Sequence, residues 1–168
     1  MKDDKRIHSF DPIIGPRPRC LVLGSMPGKA SLDVGEYYAH PRNLFWPLMA
    51  ELIGFSIELD YAERCHALMG AGIALWDVLQ SCQRVSSLDS DIDPSTITIN
   101  DIGSLLEQHK QIRLVAFNGA LAEKQFYRHM KRAQFADRKL IRLPSTSPAN
   151  AAISRQEKLH HWQRILSA

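Results

Sequence analysis

A short apolar run that ends in a glycine turn, CLVLGSMPG, occupies residues 20–28. Four consecutive apolar residues before Gly24 are typical of a strand that is buried on both faces of a sheet. Similar runs recur at residues 73–76, 112–117 and 140–143. We therefore predict four buried strands.

Segments with helical periodicity separate these strands. Apolar residues recur at helical spacing over 44–53, and we predict further helices over 61–69, 101–109, 119–132 and from 155 to the C-terminal region. Two of them begin with a capping-box pair, Asp60 with Glu63 and Ser154 with Glu157. Strands that alternate with helices pair in parallel, with helices on both faces. The sequence thus predicts the α/β fold class: a three-layer α/β/α domain with a short, mainly parallel central sheet of about four strands.

The organisation of the chain is simple. Residues 1–18 contain three prolines and are expected to be an extended N-terminal lead-in, whereas residues 19–168 are expected to form a single domain. The polar stretch 84–95 is predicted to be a long surface loop.

Composition excludes several classes of protein. The 168 residues are 45% hydrophobic and 23% charged, which excludes disordered, collagen-like and coiled-coil proteins. The net charge of +3 permits nucleic-acid binding without requiring it. The three cysteines show no metal-ligand spacing, and no run reaches the ~18 apolar residues of a membrane span. We expect a reduced, cytoplasmic protein with no metal, no cofactor and no membrane partner.

Ligands of parallel α/β sheets bind beyond the carboxyl ends of the strands. Four segments follow the predicted strands there, namely 24–43, 76–81, 118–119 and 144–150. The first begins with two glycines and a proline, which let the backbone approach a ligand closely or simply make a tight turn. The last holds hydroxyls and an amide between prolines, which suits phosphate contacts or a plain connector.

Aromatic rings follow the first segment. Tyr37, Tyr38, Phe45 and Trp46 lie close to His40, and flat rings of this kind hold unstacked bases. Phe45 and Trp46 also suit the buried face of a helix, whereas Tyr38 precedes the helix and is the better candidate for stacking. His40 could instead brace the loop, and Asn43 could cap the helix.

Taken together, these motifs resemble the uracil-DNA glycosylase superfamily. Residues 24–28 with Tyr38 and 40–46 resemble the first motif of its mismatch-specific branch and, more closely, that of the hypoxanthine (deoxyinosine) DNA glycosylases. Residues 143–148 resemble the second motif, a loop that enters the minor groove. The resemblance runs from about residue 21 to residue 151, with the order and spacing of the motifs preserved.

The resemblance implies a DNA repair enzyme that flips a deaminated base out of DNA and hydrolyses its N-glycosidic bond. It implies catalysis by Asn43, which matches a Pro-x-Asn-x-Phe-Trp pattern, with Asn118 as the alternative source of an amide or else an ordinary Asn-Gly turn. The implied base pocket is Gly24, Ser25, Met26, Pro27, Gly28, Tyr38, His40, Phe45 and Asn118. The implied DNA contacts are Arg42, Ser145, Thr146, Ser147, Pro148 and Asn150.

The chain departs from the better-known branches of the family at three positions. No Asp follows Gly24 in the first motif, Leu143 stands where a histidine would open the second, and Met26 replaces an asparagine of the mismatch-specific branch. We therefore expect poor uracil excision. Asp77 is interpreted as a cap of the following turn, and Lys29 as a solvent-facing residue rather than a Schiff-base nucleophile.

The remaining charged residues carry less information. Arg84, Arg142 and Arg155 are additional candidates for phosphate contact, and His160 and His161 receive no function. The leading hypothesis is a monomeric, monofunctional glycosylase that prefers hypoxanthine. A uracil- or xanthine-preferring glycosylase, or a non-catalytic nucleic-acid or nucleotide-binding module on the same fold, are the alternatives.

Overall fold

The computed structural model describes residues 6–168, which contain seven strands and six α-helices. The strands are β1 (Arg6–His8), β2 (Cys20–Gly24), β3 (Ile73–Asp77), β4 (Leu79–Gln83), β5 (Thr98–Ile99), β6 (Leu114–Asn118) and β7 (Lys139–Leu143). The helices are α1 (Lys29–Val34), α2 (Phe45–Ile53), α3 (Tyr61–Gly70), α4 (Ile102–Gln108), α5 (Ala120–His129) and α6 (Arg155–Trp162).

The central sheet contains the four strands that the apolar runs predicted. Its order is β3-β2-β6-β7, and all three pairings are parallel. Strand β2 is internal, with Leu21 opposite Ala74 on one side and Val115 on the other. All five β2 residues are buried, because helices or a second sheet cover both faces.

Two apolar cores lie on opposite faces of this sheet. Alternate β2 residues divide between them: Leu21 and Leu23 pack with α4 and α5, whereas Cys20 and Val22 pack with α2, α3 and α6. The predicted fold class, a three-layer α/β/α domain, is confirmed. No helix within residues 6–168 has the length and apolar character needed to cross a bilayer.

A second, three-stranded sheet was not predicted. It is antiparallel, in the order β1-β4-β5, and β4 leaves β3 with only Val78 between them. The β1 residues lie within the predicted lead-in and pair with β4, so this part of the lead-in joins a sheet. Residues 1–5 of the lead-in lie outside the described residues. These strands have two to five residues of mixed polarity and show no clear alternation of apolar and polar residues. They could therefore not be predicted from hydrophobic periodicity.

Several helix boundaries differ from the predicted ones. The helix expected over 119–132 ends at His129, because Met130 adopts an extended conformation and a 3-10 turn follows at Arg132–Phe135. Helix α1 was missed. Both predicted capping boxes are present, at Asp60 and at Ser154. The predicted surface loop 84–95 contains two 3-10 turns, and its first residue, Arg84, is buried.

Candidate active site

A cleft of about 1150 Å³ lies at the carboxyl edge of the central sheet. All four segments that follow the predicted strands contribute to it, including the loops 24–28 and 144–150. Its volume exceeds slightly the roughly 300–1,000 Å³ of a typical small-molecule site. The cleft can therefore admit a base together with part of its strand.

Two close approaches of backbone to side chain shape the floor of the cleft. A Cβ at Gly24 would lie 2.5 Å from Asp77 Oδ1 and 2.8 Å from the Tyr38 hydroxyl oxygen. At Gly119, whose φ is +95°, a Cβ would lie 2.8 Å from the Ser145 Cβ. At Gly119 the positive φ and the close Ser145 Cβ require glycine. At Gly24 any side chain would have to displace the Asp77 carboxyl group or the Tyr38 hydroxyl.

Tyr38 lines the cleft in an unusual conformation. Among residues 6–168 it is the one non-glycine residue with a positive φ, 54°. Its ring rests against Phe45, with centroids 4.4 Å apart and planes tilted by 31°. The Tyr38 hydroxyl is buried without a hydrogen bond of good geometry. The neighbouring Asn118 Nδ2 group donates one hydrogen to Thr146 and keeps a second hydrogen close to this hydroxyl. Left-handed backbone at a bulky residue is typical of functional sites.

Asn43 lines the same cleft and lies two residues before helix α2, whose N-cap is Leu44. Its Oδ1 accepts a hydrogen bond from the Phe45 backbone N–H at 2.9 Å. The Nδ2 group makes no hydrogen bond to the described part of the chain and is left as a donor. The structure thus brings together both roles considered for Asn43, at a helix start and at the cleft.

The loop 144–150 is held mainly by neutral hydrogen bonds; the exception is the buried Lys158 ammonium, which donates to the Asn150 carbonyl at 2.7 Å. The Asn118 amide bonds Thr146 twice, since Nδ2 donates to Oγ1 and Oδ1 accepts from the backbone N–H, each at 2.9 Å. Ser145 and Ser147 each accept a backbone N–H, from Ser147 and Ala149, so each hydroxyl keeps its own hydrogen for donation. These two serines are the phosphate donors that the loop can offer.

Several expectations need correction. Thr146 has no exposed surface and cannot contact DNA directly; it anchors the loop instead. Phe45 is fully buried behind Tyr38 and belongs to the core rather than to the base pocket. Arg84 is buried and donates to the Pro27 carbonyl at 2.6 Å, so it is not a phosphate contact.

The other predicted site residues fall into two groups, those that line the cleft and those that lie outside it. The cleft is lined by Gly24, Ser25, Met26, Pro27, Gly28, His40, Asn118, Ser145, Ser147, Pro148 and Asn150. Arg42 is exposed and lies outside the lining, with its backbone N–H bonded to His40 Nδ1. Lys29 is exposed as expected and pairs with Asp33.

Asp77 does not cap a turn. Its side chain is buried at the end of β3, lines the cleft, and makes no hydrogen bond to any residue between 6 and 168. Burial, together with the charge of Asp89, raises the pKa of Asp77 to about 7, and Arg84 partly opposes both effects. Asp77 is an acidic residue at the end of an otherwise apolar strand, and this position could have indicated a buried carboxyl group in the site. The interpretation of Asp77 as a cap is wrong.

A buried charged cluster behind the loop 24–28 was also missed. Asp89 accepts a hydrogen bond from Ser25 Oγ at 2.5 Å and lies 3.7 Å from an Arg84 nitrogen. Burial raises the pKa of Asp89, while Ser25 and Arg84 lower it. Tertiary folding brings these residues together across about 60 positions, and no local pattern shows such a contact.

Cationic groups line the outer part of the cleft. They are Lys29, Arg142 and Arg164. Arg142 lies 3.8 Å from Glu123, whereas Arg164 comes from the C-terminal region, for which no function was predicted. Clustered cations beside a cleft favour binding of phosphates.

A parallel α/β domain with two polar loops facing one cleft defines a protein that takes its ligand at the carboxyl edge of the sheet. The model of the uracil DNA glycosylase superfamily matches residues 12–167, and the chain belongs to this family. The resemblance seen in the sequence is thereby confirmed.

Relatives and a solved structure agree with this assignment. The chain is 32% identical over 157 residues to a hypoxanthine DNA glycosylase of Methanosarcina acetivorans, covering 93% of this chain and 95% of that protein. It is 36% identical over 111 residues to a hypoxanthine DNA glycosylase of Methanosarcina barkeri, covering 66% and 69%. A solution NMR structure of a candidate uracil DNA glycosylase from M. acetivorans superposes with a TM-score of 0.81 at 30% identity, over 96% of each chain.

Proposed function

We propose that this protein is a DNA glycosylase that excises deaminated bases, most readily hypoxanthine in deoxyinosine, from DNA. One observation carries the proposal: Tyr38, Asn43 and the loop 144–150 line a single cleft. The names of its relatives, hypoxanthine DNA glycosylases, support hypoxanthine as the preferred base.

Excision requires that the base leave the helix stack, which costs a few kcal/mol and least at a mismatch. The Tyr38 ring, backed by Phe45, supplies a flat face against which the base can rest. As the glycosidic bond breaks, negative charge develops on the base, and a fixed donor lowers that barrier. The unpaired Nδ2 of Asn43 is the donor that we assign to this step, or to holding the attacking water.

DNA binding falls to the outer residues of the cleft. The hydroxyls of Ser145 and Ser147 can donate to phosphates flanking the lesion, with Pro148 and Asn150 shaping the loop. Arg42 is exposed beside the cleft and suits a phosphate contact. Lys29 is solvent-exposed and paired with Asp33, which supports a monofunctional enzyme without a Schiff-base step.

A uracil- or xanthine-preferring enzyme is the second candidate within this class. Met26 lines the cleft where the mismatch-specific branch has an asparagine, so the first loop offers no side-chain amide there, and we expect poor excision of uracil for that reason. A non-catalytic binder is the candidate from another class. We also propose that the protein acts as a monomer in the cytoplasm and that residues 19–168 fold as one domain.

A panel of duplexes tests the proposal, each with one labelled deoxyinosine, deoxyuridine or deoxyxanthosine. After incubation and alkali, strand cleavage at the deoxyinosine reports excision. A mobility shift without cleavage on any duplex would identify a binder instead. Preferential cleavage at deoxyuridine or deoxyxanthosine would replace hypoxanthine as the substrate.

A further inference from the structure

The floor of the cleft holds two buried polar atoms that make no hydrogen bond of good geometry within the described chain. They are Asp77 Oδ2 and the Tyr38 hydroxyl oxygen. The other carboxyl oxygen, Asp77 Oδ1, and the same Tyr38 hydroxyl border the space left by the missing side chain of Gly24. Asp77 is only 3% exposed. An unsatisfied buried polar group costs free energy, so two of them at one point indicate a place where a ligand completes the hydrogen bonds.

No polar group near Asp77 in the described chain forms a hydrogen bond with its carboxyl group. The Asn100 amide bonds the Asp77 backbone carbonyl, not its carboxyl group. The Arg84 guanidinium donates to the Pro27 carbonyl and pairs with Asp89. The carboxyl group of Asp77 is therefore available only to whatever enters the cleft.

We propose that Asp77 binds the extruded base as an uncharged carboxylic acid, through paired hydrogen bonds to an adjacent N–H and C=O of that base. A neutral carboxyl group presents one O–H donor beside one carbonyl acceptor. Deamination creates the matching pair, a ring N–H next to a C=O, in hypoxanthine, uracil and xanthine alike. This inference rests on the proposed function, since it names the group that recognises the substrate of that same cleft.

The electrostatics of the site favour the uncharged form. Burial and the Asp89 carboxylate disfavour a second negative charge, while Arg84 favours it. Tyr37 also faces Asp77 and interacts with it unfavourably when both are charged. A pKa of about 7 keeps the carboxyl largely protonated below neutral pH, and the proton is lost as pH rises through that value. Donation to the base carbonyl would also stabilise the charge that develops on the leaving base.

The test compares Asp77→Asn, Asp77→Leu and the parent protein on a deoxyinosine duplex between pH 5.5 and 8.5. Asn keeps a donor and an acceptor but cannot ionise, whereas Leu keeps only the volume. Asp137→Asn is the control, because Asp137 is an exposed carboxylate at the start of β7, far from the carboxyl edge of the sheet. Thermal unfolding of each variant reports whether it is folded.

We expect Asp77→Leu to lower excision by about 10²-fold and Asp77→Asn to stay within about tenfold of the parent. Parent activity should fall as pH rises above about 7, and Asp77→Asn should lose that fall. Parent-like activity of Asp77→Leu, or the same alkaline fall in Asp77→Asn, would overturn the inference. If Asp77→Leu does not fold, the pH profile of Asp77→Asn decides alone. A parent protein that releases no base from any duplex would instead refute the proposed function.

Discussion

The two loops that face each other across the cleft are held in place by different forces. The loop 24–28 is fixed from behind by charge, through Arg84 on the Pro27 carbonyl and Asp89 on Ser25. The loop 144–150 is fixed mainly by neutral bonds, through the Asn118 amide and through the Trp162 indole, which donates to the Pro144 carbonyl at 2.9 Å. Both loops receive one bond from a buried cation to a backbone carbonyl, from Arg84 to Pro27 and from Lys158 to Asn150. They differ in that a carboxylate, Asp89, is held behind the first loop as well, whereas the second loop has no such charge pair among the described residues.

Removing the charge behind the first loop should have the largest effect on stability. Arg84→Met leaves Asp89 buried without its cation, which we expect to cost about 3–5 kcal/mol of unfolding free energy. Urea denaturation measures this loss. Arg113→Met is the matched control, since its pair with Asp137 is exposed at both ends and is worth less than about 1 kcal/mol. Equal stability of the two variants would show that the buried pair does not hold the loop.

The next largest effect is expected from substituting Asn43, and it should be seen in the rate of base excision. Asn43→Ala is expected to lower the single-turnover rate of excision by about 10²–10³-fold, because it removes the donor aimed into the cleft. It should also cost about 1 kcal/mol of stability through the lost bond to the Phe45 N–H.

Asn43→Asp separates these two effects. The aspartate keeps an oxygen for the Phe45 N–H but has no amide donor, so this variant should be stable and still inactive. A fully active Asn43→Asp protein would remove Asn43 from the catalytic step.

Removing the hydrogen bonds between Asn118 and Thr146, which anchor the second loop, should have a smaller effect. Asn118→Ala removes both bonds to Thr146, and we expect a loss of about 1–3 kcal/mol together with weaker DNA binding. Thr146→Val removes only the side-chain bond and should lose less. Binding isotherms with an intact deoxyinosine duplex, together with denaturation curves, test both. If Asn118→Ala lowered the chemical rate as much as Asn43→Ala, the Asn118 amide would be the catalytic one.

The smallest effect is expected at the outer rim. Ser147→Ala removes one hydroxyl donor and should raise the Kd for DNA by a few fold, about 1 kcal/mol, with no change in its salt dependence. Ser56→Ala is the control, because the Ser56 hydroxyl makes the same kind of turn bond, with the Glu58 N–H, on another part of the surface. Identical affinities for the two variants would argue against a phosphate contact at Ser147.

Local patterns predicted the central sheet and two helix starts well, for a physical reason. A strand such as β2 is buried on both faces, so each of its residues must be apolar or small. Four consecutive apolar residues are therefore enough to indicate such a strand. The capping boxes at Asp60 and Ser154 are likewise complete within four residues. The short strands β1 and β5 are stabilised by pairing with β4, which no local window contains.

The residues of the candidate site also differ in whether a local sequence pattern could predict their position. Tyr38, Asn43 and the serines of the second loop were predicted to share one site, because their motifs are continuous in sequence, and the structure places them along one cleft. Thr146 and Phe45 were misassigned, since their burial depends on Asn118 and on the neighbouring Tyr38 ring rather than on their own segments.

The order of apolar runs and helical periods was enough to specify an α/β domain with its ligand site at one edge of the sheet, because backbone hydrogen bonding and burial act over a few residues. The protonation of Asp77 and the clamp of Arg84 and Asp89 on the first loop depended on the tertiary structure. Both depend on how far water is excluded and on which charges meet across dozens of residues, and only the folded chain determines those distances.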